Sequence, residues 1–374
     1  MASGGQVNMA KSPREKAIEA LKEMGEEEFQ EQMDKLDEET GEEVSTYIES
    51  MTWTEKTKEE IQDERDWSAI NESMEEEGLL FRQLLADLVT YIDPPDRSGK
   101  GRNGKDMQDM LFGICLREYL DKSHRTVKQE LELAKRDGYL SETCCYSTYT
   151  HYMKKPEVQK ALQKLISLSG TPLEQIEDVY AVDATGFSDS RFGKWHDQKH
   201  HSNKDSEHHL WKKLHICCGT ETNIVTAATV SKGTAHDNTQ FEKLVERTDE
   251  YYTGKRVVAD KAYSARDNYD QVKELGMKAF IPFKSNVTGK ARGSKEWKRI
   301  YQIFQKKEGR FKNTYHKRSN VESTFNAIKQ RFGKSLNCRD KKVLETELLA
   351  KVLCYNVCTV IRAMYKLDVS PDFT

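Results

Sequence analysis

The feature that most constrains the fold is a run of short strands between Thr171 and Phe283, two of which end on an aspartate. Val179-Tyr-Ala-Val-Asp183 reads as a short buried strand, after which Ala184-Thr-Gly186 turns the chain. Residues 208–218 and 223–231 alternate around Gly219-Thr-Glu-Thr, the pattern of a β-hairpin. His236-Asp237 opens a helix through Tyr251, with Phe241, Leu244 and Val245 at helical spacing. Arg256-Val-Val-Ala-Asp260 is a second strand that delivers an aspartate. A helix over 267–275 ends at Gly276, and residues 278–283 form a further strand.

The second constraint is the stretch Tyr315-His-Lys-Arg318-Ser-Asn-Val-Glu322-Ser-Thr-Phe-Asn-Ala-Ile-Lys329, whose only acidic residue is Glu322. Wound as a helix, Tyr315, Arg318, Glu322 and Lys329 share one narrow stripe. Val321, Phe325, Ile328 and Phe332 form an apolar stripe beside it, so the helix lies on a core with a site at its edge. A carboxylate among Arg and Lys stays ionised and can ligate a hard cation, while its neighbours can hold phosphate. The same residues carry another reading. Ser319-x-x-Glu322 is also a capping box, and a helix that starts at Ser319 leaves Tyr315 and Arg318 in the preceding loop.

The spacing Tyr315-x2-Arg318-x3-Glu322-x6-Lys329 resembles the Y-x2-R-x3-E-x6-K signature of a large group of bacterial and archaeal insertion-sequence transposases of the DDE superfamily. Asp183 and Asp260 precede it in the family's order, and the resemblance covers residues 177–345. It implies an α/β fold, a ribonuclease-H-like mixed sheet flanked by helices, preceded by an all-helical N-terminal region. It implies that Asp183, Asp260 and Glu322 are the catalytic triad and the ligands of two Mg2+ ions, with Mn2+ able to substitute. Phosphodiester cleavage of this kind needs carboxylates that converge from different elements, and two strand ends and a packed helix supply them. Tyr315, Arg318 and Lys329 carry over as DNA-binding residues, Arg318 and Lys329 having the chemistry to grip phosphates beside the scissile bond. His236-Asp237 resembles a pair often found after the hairpin and is expected to support the site without ligating metal. The implied activity is that of a DNA transposase. It would bind terminal inverted repeats, pair two ends in a synaptic homodimer, cleave a strand and join the freed 3′-OH to target DNA. Two rivals share these residues: a metal-dependent nuclease of the same fold that does not join, and a catalytically silent, domesticated DNA-binding protein.

Charge points to the same class of partner. Residues 1–80 carry 8 Lys+Arg against 24 Asp+Glu, a net of −16, which leaves 51 against 38, or +13, for the remainder. Residues 290–342 alone carry 17 basic and 4 acidic residues, also +13, an electrostatic footprint for a polyanion. Trp297, Tyr301, Phe304, Phe311 and Tyr315 interleave that run and are expected to favour nucleic acid. No apolar run approaches the ~20 residues of a membrane span. The first eleven residues lack the apolar core of a secretory signal. None of the eight cysteines forms a C-x2-C pair, and Cys354 and Cys358 read as core thiols. The expectation is an intracellular, cytoplasmic and nucleoid-associated protein of a prokaryotic host, with no membrane partner. His196, His200, His201, His208 and His209 match no standard zinc spacing and are expected to meet DNA or solvent.

Four segments are expected. Residues 1–78 are acidic and partly disordered or helical, with Trp53 and Trp67 as isolated anchors; they are either a solvated tail or a DNA mimic that competes for the basic face. Residues 79–176 are helical, and short helices joined by tight turns suit a helix-turn-helix-like DNA-binding region. Residues 177–345 are the ribonuclease-H-like catalytic domain with a basic insertion at 284–313, and 346–374 form a C-terminal helix packed on it. The glycines of the break at 93–104 make no phosphate loop, since G-x4-G-K-[ST] is absent.

Overall fold

The computed structural model describes residues 19, 20, 22–40, 66–93, 104–188, 211–338 and 340–373. Trp53, the stretch 94–103 and the histidines at 196–209 lie outside the described residues. The helices before the sheet are α1 (Glu26–Thr40), α2 (Trp67–Val89), α3 (Met107–Tyr119), α4 (Lys128–Arg136), α5 (Tyr146–Tyr152) and α6 (Pro156–Ser169). Then come β1 (Val179–Ser188), β2 (Trp211–Gly219), β3 (Val225–Lys232), α7 (Asn238–Asp249), β4 (Arg256–Ala259), α8 (Arg266–Glu274) and β5 (Lys278–Phe280). The chain closes with α9 (Lys295–Lys306), α10 (Glu308–His316), α11 (Ser319–Phe332) and α12 (Val343–Leu367).

Local chemistry sets several of these boundaries. Asp66 caps α2 by accepting from the Ala69 amide at 3.0 Å, and Asp106 caps α3 by accepting from the Gln108 amide at 2.8 Å. Pro156 opens α6, where its missing N–H costs nothing. Glu177 holds the hairpin turn, accepting from the Glu221 and Thr222 amides at 3.0 and 2.6 Å. Its carboxylate lies where a side chain at residue 219 would sit, 2.2 Å from the position of a Cβ, so glycine is required there.

The five strands form one mixed sheet in the order β3-β2-β1-β4-β5. The β1–β2 and β2–β3 pairs are antiparallel; β1–β4 and β4–β5 are parallel. Strand alternation divides the neighbours between two faces. On one, Asp183, Ile216 and Cys218 look toward α11, and the Thr324 hydroxyl approaches Cys218 Sγ at 3.9 Å. On the other, His215 and Cys217 look toward α7. This is the ribonuclease-H-like mixed sheet flanked by helices, preceded by helices, that the sequence implies.

Helix α12 is the axis of the helical layer, packing on α2, α3, α6, α11 and the β2–β3 hairpin. By length and composition it is apolar enough to cross a membrane, contrary to the expectation that no run comes close; 83% of its most apolar window is buried inside the protein. Asn356 stitches it to two neighbours. Its amide accepts from Val225 N at 3.0 Å and donates to Val225 O at 2.7 Å, Ser169 Oγ at 2.9 Å and Ile166 O at 3.1 Å. Cys354 and Cys358 are buried free thiols on the same helix.

Four expectations change. Strand β1 does not turn after Asp183 but runs on to Ser188, because β2 continues to pair with it as far as Ser188–Trp211. Strand β5 stops at Phe280. The basic segment 284–313 carries helices α9 and α10, and Trp297, Tyr301, Phe304 and Phe311 are buried core, clustered about Phe283, not a face for nucleic acid. Their charged neighbours divide: Lys295 is exposed, whereas Arg299 and Glu296 are buried with the aromatics and pair at 3.4 Å. Trp67, expected as an anchor, is 62% exposed.

Replacing Asn356 by alanine strands two buried backbone groups of Val225, and is expected to cost about 2–4 kcal/mol. Urea unfolding of wild type and Asn356→Ala checks this, and a midpoint shift within error refutes it.

Candidate active site

Asp183 and Asp260 are neighbours by register. Strands β1 and β4 pair in parallel through Val182–Ala259, and the next residue on each is the aspartate. Strand β4 ends there while β1 continues with β2, so a notch opens beside Asp183 at the carboxyl edge of β4. Asp260 begins a short 3-10 turn, accepting from the Lys261 amide at 2.6 Å. Asp183 likewise accepts from the Ala184 amide at 2.8 Å.

Helix α11 brings the third carboxylate. It begins at Ser319, as the capping-box reading expects, but Glu322 does not cap it: Ser319 Oγ donates to His316 O at 3.0 Å, and Glu322 accepts from Arg318. Lys317 and Arg318 keep αR backbone angles, so the turn between α10 and α11 preserves the helical spacing of Arg318 and Glu322. The junction is tied to the hairpin turn by Lys317 Nζ to Glu221 Oε1 at 2.6 Å and Asn320 Nδ2 to Thr220 O at 2.7 Å.

Arg318 joins two of the three carboxylates. It donates from Nη1 to Asp183 Oδ2 at 2.9 Å and from Nη2 to Glu322 Oε1 at 2.6 Å. Tyr315, at the end of α10, lies with its ring centroid 5.8 Å from the guanidinium carbon. Further along α11, Lys329 donates to Thr185 Oγ1 at 2.5 Å and sits 5.1 Å from the Phe187 ring centroid. Asp183, Thr185 and Phe187 share one strand face, so Arg318, Glu322 and Lys329 run along β1 in step with it.

Burial holds the Asp183 carboxyl above the usual carboxylate range. The Ala184 amide and Arg318 pull it down, and the charges of Asp260 and Glu322 push it up. Tyr263, buried nearby, has its hydroxyl pushed far up by burial and by Asp183, Asp237 and Asp260. Among the described residues, no three His, Cys, Asp or Glu side chains gather as a ready-made metal site. Near Asp183 the positive charge is supplied by a guanidinium.

His236-Asp237 does lie beside Asp260. Both line a cavity of about 790 Å3 together with Lys213, Asp260, Lys261 and Lys284. Asp237 accepts from Lys213 Nζ at 2.8 Å and stands 3.7 Å from His215 Nδ1. Burial pushes His215 down to about 4, so it is neutral at physiological pH, with Nε2 2.7 Å from Ser231 Oγ. Thr185, Lys213, His215 and Tyr263 were not singled out from the sequence. Only Thr185 had a signal: two residues beyond Asp183 on a strand, it must share its face.

Residues 174–357 match the family model described as a transposase DDE domain. Residues 174–357 belong to the DDE transposase superfamily. The matched segment begins just before β1 and ends within α12, so it holds Asp183, Asp260 and the whole of α11. The family is one of transposase-type nucleases, enzymes that act on DNA and use divalent metal.

The raised Asp183 carboxyl gives a signed expectation. Its proton is held more tightly in the folded than in the unfolded chain, so ionisation costs folding stability above its folded pKa and nothing once both states are protonated. Asp183→Asn is therefore expected to melt at a higher temperature than wild type at neutral pH. The gap should close as pH falls through the carboxylate range. Paired thermal melts across pH decide this, and a variant less stable than wild type at neutral pH contradicts it.

Proposed function

We propose that this chain is the transposase of an insertion sequence. It binds the element's terminal inverted repeats, pairs two ends as a homodimer, hydrolyses a phosphodiester to free a 3′-OH and drives that hydroxyl into target DNA. The observation that carries this reading is convergence. Asp183 and Glu322, 139 positions apart by number, bind one guanidinium, and Asp260 stands beside Asp183 on the neighbouring strand. A half-buried aspartate kept beside two further carboxylates, at a cost to its ionisation, supports a charge-binding role over a purely stabilising one.

The donor set suits Mg2+, with Mn2+ in its place. All three side chains offer hard oxygens. Asp183 retains a demand for positive charge even with Arg318 in contact, because its carboxyl still lies above the usual range. Asp183, Asp260 and Glu322 are the residues that would hold two such ions, Asp183 in common. When bound, the ions supply activation of the attacking oxygen and charge relief at the departing one.

The remaining work falls to side chains already placed. Arg318 offers a planar pair of donors and Lys329 a point charge, both along the β1 face, where they can fix the phosphates on either side of the scissile bond. Tyr315 orients Arg318 from beneath. On the opposite face, Lys213, Lys261 and Lys284 make the cavity beside Asp260 attractive to a second stretch of phosphate. Cleavage and joining are both in-line phosphoryl transfers, first to water and then to the 3′-OH, so one set of carboxylates can serve both.

DNA carrying both flanks of the coding locus, incubated with protein and Mg2+ or Mn2+, is expected to be nicked at the element ends and joined to a plasmid. Asp183→Asn, Asp260→Asn and Glu322→Gln should each abolish both products while retaining end binding. Cleavage without joining selects the non-joining nuclease instead. Binding with wild type and variants equally inert selects the silent DNA-binding protein.

Lys329→Ala is expected to weaken DNA binding evenly across sequences and to lower the slope of log affinity against log salt by about 1, the signature of one lost phosphate contact. A filter-binding salt series reads this, and an unchanged slope removes Lys329 from the DNA contact.

A further inference from the structure

Arg318 bears on when the carboxylates become available to a cation. Asp183 Oδ2 and Glu322 Oε1 each accept from the same guanidinium, at 2.9 and 2.6 Å, so a fixed positive charge lies between them. A divalent ion drawn to both carboxylates meets that charge at close range and is repelled by it.

The head group is placed to leave. Its side chain is 20% exposed, and its hydrogen-bond partners among the described residues are two side chains, one of which, Glu322, is 58% exposed. The backbone beneath it is pinned separately, by Lys317 to Glu221 and by Asn320 to Thr220, so the guanidinium can swing without moving α11. The ligand best matched to draw it off is an oxyanion with two acceptor oxygens, which is a DNA phosphate. Lys329, held on Thr185 further along the same face, marks the path such a strand would take.

We propose that Arg318 is an internal counter-ion that keeps Asp183 and Glu322 closed to divalent cations until a DNA phosphate takes up its guanidinium, so that metal loading depends on DNA. This rests on the reading of Asp183 and Glu322 as metal ligands. The device would keep the DNA-free protein unloaded and so silent as a hydrolase.

The test is Mn2+ titration of the full chain, followed by the electron paramagnetic resonance of free Mn2+, with and without a short duplex of arbitrary sequence. Wild type without DNA should bind weakly. Arg318→Gln should bind roughly tenfold to a hundredfold more tightly, and adding Asp183→Asn to it should erase the gain. Arg318→Lys keeps a charge at that position and should stay close to wild type, which separates loss of charge from loss of fold; thermal melts of each variant confirm folding. DNA should move wild type toward the Arg318→Gln affinity and leave that variant unchanged.

Equal affinities for wild type and Arg318→Gln, both lost with Asp183→Asn, overturn the counter-ion role and leave the ligand assignment standing. DNA that leaves wild type as weak as before overturns the coupling. Mn2+ binding indifferent to Asp183→Asn in every background removes the ligand assignment and the counter-ion role with it.

Discussion

Two parallel strands part at the residue before their aspartates, and the site depends on that parting. Pairing of β1 with β4 ends at Val182–Ala259, while β1 remains bonded to β2 through Ser188. Asp183 is therefore held in a fully formed strand on one side and faces a notch on the other. Asp260 caps the end of the shorter strand. Two carboxylates placed this way cannot diverge without breaking the sheet, and burial holds Asp183 above its ordinary range. The fold thus creates a standing demand for positive charge at one place.

The demand is met differently on the two faces. On the α11 face a guanidinium answers it directly, bonding Asp183 and Glu322. On the α7 face Lys213 answers Asp237, with neutral His215 packed beside them. His215 cannot carry charge there, because burial holds it down to about 4. The lysine is thus the cation that balances Asp237, and the cavity is lined by Lys213, Lys261 and Lys284 together with Asp237 and Asp260. The notch beside Asp260 is polar on both faces.

How much of this was legible in the sequence differs by residue. Asp183, Asp260 and Glu322 could be picked out because strand ends and a fixed spacing are local properties. The Arg318–Glu322 contact was legible too, since helical geometry survives the break before Ser319. Thr185 was hidden by the expectation of a turn at Ala184, which ignored that β2 would extend β1 by pairing. Lys213 and His215 could not be placed, because their face depends on the hairpin register. Trp297, Tyr301 and Phe304 stand at i, i+4 and i+7, the spacing of a buried helix face, yet the surrounding lysines suggested a DNA-stacking surface. Composition averages over a helix and cannot tell its two sides apart; periodicity can. The 25 residues of α12 were underestimated for the same reason, since Lys351 and Glu347 interrupt the apolar run in sequence but pair with each other in the core.

Helix α11 also ties the N-terminal helices to the candidate site on the sheet. Arg318, Glu322 and Lys329 ride on one rigid rod, so their positions along β1 are set by how that rod is seated. Val321, Phe325, Ile328 and Phe332 bury its underside. Its far end is held by an ion pair from Arg331 to Glu77 of α2, and Glu77 also accepts from the Tyr119 hydroxyl of α3 at 3.0 Å. Arg331 lies over the Tyr119 ring as well, 5.6 Å from its centroid. The rod is therefore clamped at its start by the hairpin turn and at its end by two helices that precede the sheet in sequence. The contacts of α2 and α3 bear on α11 at the end opposite Glu322. Residues before the matched segment thus help to seat the helix that carries Arg318 and Glu322.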